Sequence, residues 1–199
     1  MRLHRDIQTA VPHASHHFDL GLSRHYAYRH AESVNAFRES RRLDPLCVMC
    51  AVGEAIALGP TVDAPMDSAA ASQALSAILR ARALVERGEG SVSEAAWVRA
   101  VATRYTADPS ASRAGLDTLY AAAMTRLADA NPLDADAQTL AAEAAMILSP
   151  YHYWSETGAA RPGTRRLVHR LRQAMRVAPG HQGACVLYAH VMEAATAAP

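Results

Sequence analysis

Three side chains able to hold a metal or move a proton share one face of one short segment. Leu43 to Met66 reads Leu-Asp-Pro-Leu-Cys-Val-Met-Cys-Ala-Val-Gly-Glu-Ala-Ile-Ala-Leu-Gly-Pro-Thr-Val-Asp-Ala-Pro-Met, and between Leu46 and Leu58 only Glu54 is neither apolar nor small. At 100° per residue, Cys47, Cys50 and Glu54 fall within about 60° of one another on a helix. Thiolate and carboxylate both ligate soft or borderline metals, although the second thiol pair usual in structural zinc sites is missing from the sequence. A helix apolar all round is buried all round. Glu54 must therefore find hydrogen bonds, a cation or a metal, or keep its proton. The plainer reading makes both cysteines small core residues.

A second set lies toward the C-terminus. His190 and Glu193 are three apart and share a helical face. With His17 or His30 and with Glu54 they hold the ingredients of a two-histidine, one-carboxylate site or a dimetal carboxylate site. The candidate metal ligands are His17, His30, Cys50, Glu54, His190 and Glu193, for iron, copper or zinc; no cofactor is certain. The opposing reading pairs each glutamate with an arginine and places each histidine in the core. Tyr151-His152-Tyr153-Trp154 is an aromatic cluster in a loop, a lid or a plug, in which His152 is a candidate acid or base and Trp154 a wall of a ligand groove. The sequence contains no glycine-rich phosphate loop, no Gly-x-Ser-x-Gly elbow, no haem-attachment motif and no zincin motif.

Helices must position these groups. The pattern predicts a polar arm over 1–12, then helices over His13 to Arg29 and about His30 to Leu43. A helix opens at Asp44-Pro45, with Asp44 as cap and Pro45 in the first turn, and ends at Gly59-Pro60. Further helices run from about Met66 to Glu86 and from Ser91 to Thr106, where Ser91 and Glu94 form a capping box. Asp108-Pro109, Asn131-Pro132 and Ala178-Pro179 open the next ones, and an irregular segment spans 149–162. No stretch alternates with period two well enough for a strand. The expected fold is all-α, a single domain over 13–199 of about nine helices in four imperfect hairpins. Gly53-Glu54-Ala55, Ala142-Glu143-Ala144 and Met192-Glu193-Ala194 recur in equivalent helices, so Glu54, Glu143 and Glu193 are expected to face one concave groove.

Bulk composition narrows the partners. All 20 basic residues are arginine, against 19 acids, for a formal charge of +1. That balance gives no overall footprint for nucleic acid or an anionic membrane. Three cysteines, two of them three residues apart, argue against a secreted disulfide framework. With no signal-peptide core and no apolar run approaching the roughly 20 residues of a membrane span, the expected location is the cytoplasm.

Leu20, Gly21, Phe37, Ser40 and Pro45 have the spacing of a tetratricopeptide repeat. With His16-His17-Phe18-Asp19-Leu20-Gly21-Leu22, Tyr28-Arg29-His30-Ala31-Glu32, Asp44-Pro45 through Met66, Arg161-Pro162-Gly163-Thr164 and His181 to Glu193, the chain resembles a bacterial family of tetratricopeptide-repeat (TPR) proteins of poorly defined function. It departs from that pattern at Ala51-Val52, where an aromatic pair is expected, at Thr61 and Asp63, for two asparagines, and at Val186, for a histidine. The resemblance implies a shortened, right-handed α-solenoid of TPR type. Two functions follow as expectations: a binding module whose groove takes a protein, peptide or small molecule, or a metal-dependent enzyme acting on a small molecule. A homodimer would cap an exposed solenoid end.

Overall fold

The computed structural model describes residues 3–196, the last three of them in backbone only. Among these residues there are nine helices: α1 (Pro12–Tyr26), α2 (His30–Leu43), α3 (Val48–Ala57), α4 (Ser68–Glu86), α5 (Val92–Ala102), α6 (Arg113–Ala130), α7 (Ala135–Leu148), α8 (Thr164–Val177) and α9 (Gln182–Thr196). The fold is all-α, with no strand among the described residues and a single isolated bridge between Trp154 and Ala160.

Helix starts differ from expectation by a constant device. Asp44-Pro45, Asp108-Pro109, Asn131-Pro132 and Ala178-Pro179 do not open helices; each occupies the first half of a β-turn. In all four, as in Ser149-Pro150 and Arg161-Pro162, the amide three residues on donates to the first carbonyl at 3.0 to 3.3 Å. Proline's fixed φ suits the second position of such a turn as well as it suits a helix's first residue. The third position takes left-handed φ in Gly163, Gly180 and, unusually, Tyr151 (φ 63°). The fourth residue then caps the helix that follows in three cases. The Cys47 sulfur accepts from Cys50 N, Asp134 accepts from Ala137 N, and His181 Nδ1 accepts from Ala184 N at 3.1 Å. The Ser91–Glu94 capping box is present as expected.

Two compact units divide the chain. The first comprises Met1–Gly59 with Met66–Ser112, the second Pro60–Pro65 with Arg113–Pro199. In the first, α1 and α2 form a hairpin, and α3 packs against α1, α2, α4 and α5. Phe37 is fully buried at that junction, edge-on to Phe18 with ring centroids 5.3 Å apart. Ser33 and Ser40 stitch the hairpin by donating to Gly21 O at 2.8 Å and Ala14 O at 2.6 Å. The N-terminal arm is tied down rather than loose. Arg5 N donates to Asp19, Thr9 to Asp44 and Gln8 N to Glu94, and the Arg5 guanidinium lies 4.5 Å over the Trp97 ring.

In the second unit α7 packs against α6, α8 and α9. Its core holds Leu140, Met146, Leu171 and Val191. One arginine is drawn inside: Arg170 donates to Gln138 at 3.0 Å and pairs with Asp129 at 2.7 Å. The aromatic loop between α7 and α8 seats itself as a plug. Tyr153 is 3% exposed, its carbonyl accepts from Thr164 Oγ1 at 2.6 Å, and Trp154 Nε1 donates to Val191 O at 2.8 Å.

Candidate functional site

In the first unit the carboxylate of the apolar helix has found cations. Glu54 is 5% exposed, with Oε1 accepting from Arg38 Nε at 2.7 Å and Oε2 from Arg41 Nε at 3.0 Å. Both arginines come from one face of α2, three residues apart, and Arg38 reaches on to Gln73 of α4 at 2.6 Å. Of the four fates open to a buried acid, ion pairing is realised, and each oxygen already carries a guanidinium. Cys50 is bonded to Cys47, so neither offers a thiolate while the bond stands; Ser40 Oγ lies 2.9 Å from the Cys50 sulfur.

The N-terminal histidines sit in different surroundings. His17 is half-buried beside Glu39, whose carboxyl is held below its ordinary value by Arg42 first and by His17 last among the attractions. His30, at the start of α2, sits with its ring 5.7 Å from His25 and 5.8 Å from Tyr28. Tyr28 holds a left-handed φ of 58° at this corner.

The second unit contains Glu143, half-buried on α7, and Glu193, exposed on α9. His152 is exposed and turned back on Pro150 O at 2.8 Å. His190 is different. Its ring lies 5.1 Å from that of Tyr151 and 6.2 Å from that of Tyr153, and the Tyr151 hydroxyl donates to Asp63. His190 Nε2 and Tyr153 Oη are buried and, among the described residues, meet no hydrogen-bond partner. Burial pushes the Tyr153 phenol up, opposed by the nearby Tyr151 amide and helped by the Asp63 charge; the Asp63 hydrogen bond holds the Tyr151 phenol above its ordinary value. Sequence reasoning singled out His190 and, separately, the Tyr151–Trp154 cluster, but not their meeting with Asp63, because loop, α9 and the 60–65 segment come together only in three dimensions.

Beside this cluster an open cleft of about 580 Å³ is lined by Trp154, Arg165, Val168, His169, Arg172 and Met192, together with the small residues of the loop. Among the described residues no carboxylate contributes to its lining. Arg172 is oriented by Tyr188, donating to its hydroxyl at 3.1 Å and lying 5.6 Å over its ring. The cleft's charge comes from α8, Thr-Arg-Arg-Leu-Val-His-Arg-Leu-Arg-Gln-Ala-Met-Arg-Val, which has no acid and exposes Arg165, Arg166, His169, Arg172 and Arg176. A formal charge taken over the whole chain hides that local excess.

Among the described residues no three His, Cys, Asp or Glu side chains gather as a metal-binding group, and no helix is long and apolar enough to cross a membrane. No family model matches the chain, and no curated protein matches its sequence.

Proposed function

We propose that the protein is a TPR-like helical-repeat binding module whose second unit takes an acidic peptide segment in the Trp154 cleft. The observation that carries the reading is a cleft walled by Trp154 and by Arg165, His169 and Arg172, with no carboxylate in its lining among the described residues. Arginine forks grip carboxylates in two parallel hydrogen bonds, and an indole face with Val168 and Met192 supplies the apolar contact that anchors such recognition. Exposed cations are what a groove for an acidic segment requires, and the acid-bearing helices α3, α7 and α9 do not provide them. The repeat assignment is supported by the α1–α2 hairpin, closed by a proline turn and packed on Phe37.

The test is fluorescence polarisation with a fluorescein-labelled hexaglutamate peptide bearing a free C-terminus. Binding is expected to weaken with salt, and Arg165→Ala with Arg172→Ala to weaken it by about tenfold or more, the loss of one or two charge-assisted hydrogen bonds. Equal affinity for a hexalysine peptide, or no effect of the double substitution, would remove this assignment.

A further inference from the structure

We propose that Asp63, Tyr151, Tyr153 and His190 form a binding site for a ferric ion. Three segments of the second unit bring them together: the 60–65 stretch, the aromatic loop and α9. Tyr153 Oη and His190 Nε2 are buried without a hydrogen-bond partner. A buried polar atom left unpaired is costly, and two of them on rings whose centroids lie 6.2 Å apart mark a place shaped for a group of another kind.

The chemistry around them selects that group. Asp63 hydrogen-bonds Tyr151 and its charge also reaches Tyr153, so the site presents a carboxylate to whatever enters, and an anion is disfavoured. Two phenolates and a carboxylate are hard anionic oxygen donors whose three negative charges balance a trivalent cation, and neutral imidazole is a ligand iron accepts. Tyr151 adds an independent sign. It holds φ 63° in the Ser149–His152 turn, a left-handed backbone in which glycine would be unstrained and a tyrosine is not. Strain of this kind persists where the side chain is needed at that spot. Binding exchanges the Tyr151–Asp63 hydrogen bond for oxygen–iron bonds. The two phenolic protons pass to solvent and the iron stays ferric throughout.

The experiment uses the full chain, stripped of metal and then given ferric nitrilotriacetate. One retained iron per chain with a visible phenolate-to-iron absorption is expected. Tyr151→Phe with Tyr153→Phe keeps both rings in place and should abolish the absorption, while His190→Gln should keep the colour and lose about tenfold or more in iron affinity. If the double variant loses helix content by circular dichroism, Asp63→Asn replaces it, since Asp63 is exposed and its substitution leaves the core untouched; iron retention should again fall by about tenfold or more. A colourless wild-type protein, or colour and retention unchanged in the double variant or in Asp63→Asn, would overturn the assignment.

Discussion

A Cβ built on Gly53 would lie 2.4 Å from Cε1 of Phe37. The same ring stands 2.7 Å from where a Cβ of Gly21 would be, so α1 and α3 approach α2 at two positions where no side chain is possible. Gly53→Ala forces a fully buried ring off its place. It is expected to destabilise the protein by about 1–3 kcal/mol, read as a lowered denaturant midpoint with unchanged slope.

Glu54 and its two arginines should behave as a unit. Glu54→Gln keeps the shape but removes the charge, leaving two guanidiniums facing an amide, and is expected to cost about 1–3 kcal/mol. Either arginine alone replaced by alanine should cost less, because both are partly solvated and the other still neutralises the acid. Replacing both should cost more than the two single effects added. Denaturation of the double-mutant set checks this.

The Cys47–Cys50 bond closes a very short loop, so it restrains the unfolded chain little. On the chain-entropy account its reduction is expected to cost about 2 kcal/mol, lowering the melting temperature without abolishing folding. Thiol titration in denaturant should find one reactive cysteine, Cys185, before reduction and three after it.

His4 ties the arm to α1. Its Nδ1 lies 2.7 Å from Asp19, and that hydrogen bond, with the Asp19 and Asp6 charges, raises its pKa above 6.5. A group raised on folding adds stability that is full below 6.5 and lost as pH climbs through the higher folded value. Amide exchange in residues 3–11 should therefore speed up as pH rises above 6.5, beyond its intrinsic base catalysis. Asp19→Asn should bring the His4 titration, followed by NMR, back toward 6.5.

Tyr153→Phe removes a buried hydroxyl that has no partner. In metal-free protein it should be neutral or stabilising, by up to about 1–3 kcal/mol, in contrast to the usual cost of altering a buried tyrosine. Thermal melts of the stripped protein measure it.

Helix identity was legible because apolar spacing and the Ser91–Glu94 box are local signals. Helix starts were not, because Asp-Pro and Asn-Pro serve a turn and an N-terminus equally well; only Asp134, with its carboxylate placed for the Ala137 amide, advertised the later start. Glu54's need for a partner could be read from its apolar surroundings, but the partner could not: Arg38 and Arg41 lie on the preceding helix and look like ordinary surface arginines. The α8 charge was lost by averaging over a chain whose acids lie elsewhere. The Tyr153–His190 contact joins a loop to a helix with no periodicity between them, so the histidine and the aromatic cluster were each found but not their contact.

The arm's tether to Glu94 has a consequence for how the first unit assembles during synthesis. Glu94 Oε2 closes its own helix by accepting from Ser91 N at 2.9 Å, while Oε1 accepts from Gln8 N at 2.7 Å, 86 residues earlier in the chain. At about 5–20 residues per second, Gln8 waits roughly 4–17 s for that acceptor to leave the ribosome. Through that interval the arm is held only at its early partners, His4 and Arg5 at Asp19 and Thr9 at Asp44. Closure of the Gln8–Glu94 hydrogen bond then becomes the act that records completion of α5, a latch thrown by an early residue on the last helix of its unit.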